Sequence, residues 1–309
     1  MGSPQLIVQD ERDVGRRGAA VGLTEAGRSV ARLGLGALCG VGLGLLAWGA
    51  VSLVHGPGGA PTPLLPSLSA PRLQPFPDWP STALLPVPSL GEPTLRRVPA
   101  WASGIAVPKG ESLVADAKVA RVAVYRSAGS KRPRMTLSNP NRDGAPLVFL
   151  VTSVRTRRLR VLLPTRPNLS HGWIARRNVR LALDPYRVAV DLGRHKMIVR
   201  RDGRLVQHYR VGVGKRAVTP TPFGLYYITE LLRQPDPGGT YGPYAFGLSA
   251  HSNVLHEFAG GNGEIGIHGT NEPRGVGTDV SHGCIRVYNR VIARLAHELP
   301  LGTPVQIEP

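Results

Sequence analysis

Residues 281–289 read Ser-His-Gly-Cys-Ile-Arg-Val-Tyr-Asn, and residues 265–269 upstream read Ile-Gly-Ile-His-Gly. These two segments decide how the C-terminal part of the 309-residue chain is interpreted, because they combine a cysteine with two histidines and closely spaced glycines. Cys284 is one of two cysteines, and the other, Cys39, lies in a long apolar run. The sequence therefore predicts that Cys284 is a free thiol.

The thiol of Cys284 needs a neighbouring base to act as a nucleophile, because a thiol with a pKa of about 8.5 is mostly protonated at neutral pH. His282 and His268 are the candidates. A side chain two residues away on an extended segment shares a face with the cysteine without necessarily reaching the sulfur, and the base for such a nucleophile commonly comes from a distant part of the chain. We therefore expect His268 to be the base.

Glycine and arginine residues beside the cysteine indicate a pocket for a carbonyl and a carboxylate. Gly283 has no Cβ, so the backbone N–H groups around Gly283 and Cys284 could approach a reacting carbonyl and form an oxyanion hole. The guanidinium of Arg286 could bind a carboxylate through two parallel hydrogen bonds. Both features are consistent with acyl transfer.

These residues resemble the signature of the L,D-transpeptidase (YkuD-type) family of bacterial peptidoglycan enzymes. The resemblance consists of a His-Gly pair at residues 268–269, a gap of the family's length, and then Ser-His-Gly-Cys, an apolar residue and Arg at residues 281–286. It extends back to Tyr186 and includes a Thr-Pro-rich loop at residues 219–224.

The resemblance implies that Cys284 is the acylated nucleophile and His268 its base, with the backbone carbonyl of Gly269 orienting the base. His282 and Gly283 complete the catalytic pocket. The implied reaction joins peptidoglycan stem peptides by 3→3 cross-links through a Cys284 thioester and releases D-alanine, with no metal or organic cofactor. Carbapenem-type inhibitors are expected to acylate the cysteine.

Substrate contacts are predicted at Ser281 and Arg286, and also in residues 233–248, whose prolines and glycines predict a flexible flap. Tyr241 and Tyr244 lie in this flap. Aromatic side chains in such loops either face the substrate or pack against the protein, and the sequence leaves both possibilities open.

Three alternatives compete with the transpeptidase hypothesis. His268, His282 and Cys284 could be zinc ligands, although no spacing typical of a zinc site supports this. Water in place of the acceptor amine would make the protein an L,D-carboxypeptidase, and a protein acceptor would make it an enzyme that attaches proteins to the wall. A wall-binding protein with a vestigial site is disfavoured, since the motif residues are intact.

The chain carries a net charge of +18, and between Arg155 and Arg216 there are 17 lysines and arginines against three acidic residues. Such a charge is typical of nucleic-acid binding, but also of contact with an anionic membrane or cell wall. The compartment predicted below favours the wall and excludes nucleic acid. The basic region is either a specific binding surface or a solvated face.

Residues 33–54 are uncharged and predict a transmembrane helix, because about 20 residues are needed to cross the hydrocarbon core. A cleaved signal peptide is the less favoured alternative. Arg16, Arg17, Arg28 and Arg32 precede the span, which predicts that residues 1–32 form a cytoplasmic tail and that the rest of the chain lies outside the cytoplasm, at the cell wall.

The remaining chain is predicted to be a Pro-rich linker at residues 55–112, an SH3-like all-β module at 113–183 and a catalytic domain at 184–309. The SH3-like module either binds the wall or acts as a spacer. In the catalytic domain, Asp202-Gly203 predicts a β-hairpin turn, and Asn289 is expected to cap a helix. The predicted fold class is mainly β, with a β-rich YkuD-like domain.

Overall fold

The computed structural model describes residues 95–98, 105–258 and 261–309. The predicted cytoplasmic tail at 1–32, the predicted transmembrane helix at 33–54 with Cys39, and most of the predicted linker lie outside these described residues. Within the described part of the chain, no helix combines the length and the apolar character needed to cross a membrane.

The N-terminal half of the described chain forms one eight-stranded sheet. Its strands are β1 (Arg96–Val98), β2 (Ser112–Ala117), β3 (Arg121–Tyr125), β4 (Met135–Ser138), β5 (Val148–Val154), β6 (Arg158–Leu162), β7 (His171–Ala175) and β8 (Val179–Asp184), with a short 3₁₀ helix at Arg176–Asn178. The strands follow the order β1-β8-β2-β5-β6-β7-β3-β4, and their pairs are antiparallel. We call this the first sheet.

The C-terminal half forms a second eight-stranded sheet with one helix. Its elements are β9 (Tyr186–Asp191), β10 (Lys196–Arg201), β11 (Arg204–Arg210), β12 (Val213–Gly214), β13 (Gly224–Arg233), β14 (Tyr244–His251), β15 (Glu264–His268), a 3₁₀ helix at Pro273–Gly275, β16 (Asp279–Ser281), β17 (Ile285–Arg286), α1 (Asn289–Glu298) and β18 (Pro304–Glu308). The order is β11-β10-β9-β18-β13-β14-β15-β17, while β12 and β16 pair separately. The fold is mainly β, as predicted.

Part of the segment predicted to be the linker pairs with the first sheet. Arg96–Val98 pairs antiparallel with the end of β8, and Ile105 is buried in the core of the first sheet. Prolines on either side of this short, charged strand conceal it in the sequence, because an edge strand of three residues has no alternation to detect. The domain boundaries predicted from the sequence stay a prediction.

The predicted hairpin is confirmed, because β10 and β11 pair antiparallel across Asp202 and Gly203. Both turn residues have positive φ, 52° and 76°, as the two central positions of a type I′ turn require. The SH3-like assignment of the first sheet remains a prediction.

A separate apolar cluster joins the two sheets. Val114, Val148, Leu150 and Leu162 of the first sheet pack against Tyr227 of β13, which is fully buried. Polar contacts reinforce this interface at its edge, where the hydroxyl of Thr303 donates to Asp184 Oδ2 at 2.7 Å. The first sheet is therefore packed directly against the sheet that carries the cysteine.

The helix α1 packs on the second sheet through Val291, Ile292, Leu295 and Ala296. The predicted capping role of Asn289 is wrong: Tyr288 is the N-cap residue, and no side chain caps the helix. The side chain of Asn289 instead accepts a hydrogen bond from the Thr270 N–H at 2.7 Å. Asn289 therefore makes a tertiary contact with Thr270 in place of the predicted helix cap.

Candidate active site

The two signature segments become neighbours through a parallel strand pair. Ile267 pairs with Ile285 and His268 with Arg286, so β15 and β17 lie side by side at one edge of the second sheet. Cys284 directly precedes β17, and the Gly266 N–H lies 3.4 Å from its sulfur, where it can donate a hydrogen bond. The sheet therefore brings the histidine strand to the cysteine.

His268 is only 3% exposed, and its ring is held from two sides. Nδ1 lies 2.6 Å from the backbone oxygen of Gly269, so in the neutral ring Nδ1 carries the proton and Nε2 keeps a free lone pair. The ring of Tyr241 packs edge-on at 4.8 Å between centroids. Burial lowers the pKa of His268 to about 4, so the imidazole is neutral at physiological pH and can accept a proton.

Burial also raises the pKa of the Cys284 thiol, an effect only partly opposed by the Gly266 N–H and the Arg286 guanidinium. The thiol keeps part of its surface accessible and lines a cavity together with His268. At neutral pH the resting pair is therefore a neutral thiol and a neutral imidazole. Such a pair transfers its proton during attack and does not start as an ion pair.

The Gly283 N–H was predicted to contribute to the oxyanion hole, but it already has a hydrogen-bond partner within the turn. It donates to the hydroxyl of Ser281 at 3.0 Å, and that hydroxyl donates to the Cys284 carbonyl at 2.6 Å. Ser281 is 1% exposed and its hydroxyl shapes the turn, while its contact with substrate stays a prediction. The Cys284 N–H is left as the candidate oxyanion donor.

The Thr-Pro-rich loop at residues 219–224 also contacts this turn through hydrogen bonds. The hydroxyl of Thr219 donates to the Ser281 carbonyl at 3.0 Å, and that of Thr221 donates to the Gly283 carbonyl at 2.8 Å. Gly283 has φ of +125°, which glycine adopts readily, and a Cβ there would lie 2.8 Å from Ile265. The backbone around the cysteine is therefore fixed by hydroxyl groups that lie 62 residues away in sequence.

Arg286 is paired within the chain. Its Nη1 donates to Glu272 Oε2 at 2.8 Å, and the arginine side chain is 11% exposed while the glutamate side chain is 69% exposed. A substrate carboxylate would have to compete with this exposed partner. The sequence does not predict a role for Glu272, because no motif links it to Arg286.

The ring of His282 contacts a different side chain from the one that the ring of His268 contacts. Its ring stacks on Phe258, with centroids 5.3 Å apart and an interplanar angle of 30°. Within the described residues, no three side chains of the metal-ligating types are grouped to hold a metal ion.

The predicted flap at 233–248 is a loop only in its middle part, because both of its ends belong to strands. Residues 244–248 belong to β14 and are mostly buried, so the connecting loop is limited to residues 234–243. Tyr241 of this loop lines the cavity, whereas Tyr244 packs against the core of the second sheet. Asn289 anchors the loop, since its amide donates to the Pro237 carbonyl at 3.4 Å.

The cavity beside the cysteine has a volume of about 360 Å³, within the range of small-ligand sites. The second sheet contributes Cys284 and His268 to its wall, and the first sheet contributes the segment around Asn141 and Asp143. Both halves of the described chain therefore form the cavity. This shared cavity was not predicted from the sequence, because residues of the first sheet reach it only through the packing of the two sheets.

Two buried carboxyl groups lie in the same cavity. Glu230 and Glu264 sit across Gly247, where a Cβ would come within 2.8 Å of an oxygen of each. Asn141 donates to Glu230 Oε2 at 2.8 Å, and the Thr229 hydroxyl donates to Glu264 Oε1 at 3.2 Å. Burial raises the pKa of Glu230 to about 7, and burial with the neighbouring Glu230 raises that of Glu264 to about 8.

This carboxyl pair predicts that stability falls as pH rises. Raised pKa values mean that the folded protein binds protons more tightly than the unfolded chain, so the stabilisation present below about pH 4.5 is lost as pH rises through 7 to 8. For each proton involved, the free energy of unfolding changes by about 1.4 kcal/mol per pH unit. We expect Glu264→Gln to flatten this decline, as measured by denaturant unfolding between pH 5 and 8. Glu308→Gln, at an exposed site, is the control, and parallel curves for wild type and Glu264→Gln would contradict the prediction.

Comparisons with known proteins identify relatives of the C-terminal part of the chain. The family model for the L,D-transpeptidase catalytic domain, YkuD, matches residues 185–307. A candidate L,D-transpeptidase YkuD of Bacillus licheniformis is 38% identical over 178 residues, covering 54% of this chain and 96% of the relative. The corresponding Bacillus subtilis protein is 35% identical over 152 residues, covering 47% of this chain and 84% of that protein.

A solved L,D-transpeptidase in complex with imipenem is 16% identical, with a TM-score of 0.32 and coverage of 45% of this chain and 73% of its own. The catalytic-domain match includes both signature segments, and the alignment with the Bacillus licheniformis relative extends over almost the whole of that protein. The chain therefore belongs to the L,D-transpeptidase family, whose members act on peptidoglycan.

Proposed function

We propose that this protein is a peptidoglycan L,D-transpeptidase that forms 3→3 cross-links through a Cys284 thioester. The observation that carries the proposal is the shared cavity of Cys284 and His268, in which the imidazole is neutral and hydrogen-bonded to the Gly269 carbonyl. A neutral base beside an accessible thiol supports nucleophilic acyl transfer.

In the first half-reaction, the Cys284 sulfur attacks the carbonyl carbon of the third residue of the donor stem peptide, and His268 accepts the thiol proton. The Cys284 N–H stabilises the negative charge that develops on the carbonyl oxygen. The tetrahedral intermediate collapses with cleavage of the peptide bond to D-alanine. His268 returns the proton to the departing amine, which leaves the donor as a thioester on Cys284.

In the second half-reaction, an amine of the acceptor stem peptide attacks the thioester carbon and gives a proton to His268. The carbon–sulfur bond breaks, the thiolate takes the proton from His268, and the new amide is the 3→3 cross-link. Cys284 and His268 serve both half-reactions, and the proposed cycle includes no metal or organic cofactor.

The polar part of the cavity supports a substrate that carries an amine. Asp143, Glu230 and Glu264 all line it, and a bound ammonium group would favour the ionised forms of Glu230 and Glu264. The diamino acid that the family resemblance expects at the third stem position carries such a group.

The acceptor is tested by incubating the full-length chain with purified disaccharide-tetrapeptide and separating the products by chromatography and mass spectrometry. We expect cross-linked dimers together with free D-alanine. Tripeptide alone would identify an L,D-carboxypeptidase, because water would then have resolved the thioester. Intact tetrapeptide would contradict an acyl-transfer function and favour a non-catalytic wall-binding protein.

The proposal includes the location of the enzyme. Residues 33–54 anchor it in the cell membrane, residues 1–32 are cytoplasmic, and the Pro-rich segment carries the catalytic domain to the wall. In this compartment nucleic acid is not a partner. Carbapenems, which resemble an acyl donor, are expected to acylate Cys284.

A further inference from the structure

The loop at residues 252–263, between β14 and β15, forms one wall of the cavity through Phe258, Gly261, Asn262 and Gly263. At its described tip, Phe258 and Gly261 exchange backbone hydrogen bonds of 3.0 and 2.9 Å. We call this segment the wall loop; residues 259 and 260 lie outside the described chain. Its Phe258 ring stacks on His282, two residues before the nucleophile.

The base of the wall loop is held by Arg166, which lies in the loop between β6 and β7. Its Nη1 donates to the Ser252 carbonyl at 2.6 Å, and Nη2 donates to the carbonyls of Leu255 and Asn262 at 3.0 Å each. These oxygens come from both ends of the loop, so one planar guanidinium joins the outgoing and returning backbone. Lysine has no such fork of donors.

The backbone of the wall loop is shaped to admit this guanidinium. Gly263 has φ of +74°, and a Cβ there would lie 2.9 Å from Arg166 Nη2 and 2.0 Å from the Leu255 carbonyl oxygen. Asn168, two residues after the arginine, adds a second attachment, because its amide pairs with both the N–H and the carbonyl of His251 at 2.8 and 2.6 Å.

We propose that Arg166 is a positioning residue for acyl transfer: it fixes the wall loop so that Phe258 holds His282 and the turn before Cys284. The first sheet then has a role in the reaction and is more than a spacer or wall-binding unit. This inference goes further than the proposed function and rests on it where activity is the readout. A misplacement of about 1 Å at a reacting group can lower the rate about 100-fold, so a loosened loop has a measurable effect.

The test uses the full-length chain with Arg166→Ala, Arg166→Lys and the control Arg160→Ala, which removes an exposed positive charge from the same sheet. We expect Arg166→Ala to lower kcat by about 10- to 100-fold with a smaller change in KM. Arg166→Lys should be intermediate, and added guanidinium ion should restore part of the rate of Arg166→Ala. Wild-type kcat in Arg166→Ala overturns the proposal, as does an equal loss in Arg160→Ala.

A double-mutant cycle with Phe258→Leu separates positioning from a general loss of stability. If Arg166 acts through Phe258, the double variant is no slower than the slower single variant. If the rate losses of the two single variants multiply in the double variant, Arg166 does not act through Phe258. Unfolding midpoints measured for all variants show whether a rate loss follows global stability, an outcome that also overturns the proposal.

Hydrogen exchange provides a readout that does not depend on activity. Arg166→Ala should increase exchange at the amides of residues 252–258 and 261–263 while leaving β13 protected. If wild type proves inactive on stem peptides, the proposed function fails, and exchange alone then decides whether Arg166 holds the wall loop. Unchanged exchange in that loop overturns the inference.

Discussion

Cys284→Ala is expected to make neither cross-linked dimer nor tripeptide from purified stem peptides. The sulfur is the atom proposed to bond to the donor carbonyl, so its removal eliminates the thioester and both half-reactions. Loss of a nucleophile from a hydrolase that uses a serine–histidine pair costs on the order of 10⁶ in kcat, and we expect a comparable loss here. Product analysis by mass spectrometry is the primary measurement.

The fold should survive this change, because the thiol is partly accessible and has a single weak hydrogen bond from Gly266. Unfolding curves and circular dichroism spectra of Cys284→Ala that match those of the wild type would show that the variant is folded. A carbapenem adduct should be detected by intact-protein mass on wild type and be absent from Cys284→Ala. Residual cross-linking by a folded Cys284→Ala protein would remove this residue from the nucleophile's role.

His268→Gln is expected to lower kcat/KM by about 10² to 10⁴ and to change the shape of its pH profile. In wild type, the base is deprotonated above about pH 4 and the thiol stays protonated at neutral pH, because burial lowers the pKa of His268 to about 4 and raises that of Cys284. The wild-type rate should therefore rise through an apparent pKa near 4 and then stay level into the alkaline range.

Without the imidazole, attack depends on the small fraction of thiolate. The His268→Gln rate should therefore increase tenfold per pH unit through the neutral range, with no inflection near pH 4. His282→Gln is the matched control, because that ring stacks on Phe258 and is not proposed to carry the proton. An inflection near pH 4 that persists in His268→Gln and disappears in His282→Gln would exchange the roles of the two histidines.

The chemistry of the site is predictable from sequence because it is concentrated in two short segments. Cys284 and His268 are recognised from the motif, and the Asp202-Gly203 turn predicts the hairpin of β10 and β11. Family membership follows from the same residues. These features depend on local spacing, which a sequence displays directly.

The contacts that shape the site are not predictable in this way, because they join distant residues. Arg166 and Ser252 are 86 positions apart, and Asn141 and Glu230 are 89 apart. Asn289 is the clearest case of a wrong local interpretation: asparagine favours helix caps, yet its amide lies between Gly242 and Gly269 and bonds Thr270. Gly266 could be found only from the strand register, since it acts through its backbone.

The place of β18 within the second sheet has a consequence for biosynthesis. This last strand in chain order lies between β9 and β13, pairing parallel with one and antiparallel with the other. Until β18 has been translated and has left the ribosome, β9 and β13 lack the strand that lies between them in the finished sheet. The segment that carries Cys284 is therefore synthesised before the sheet around it can close.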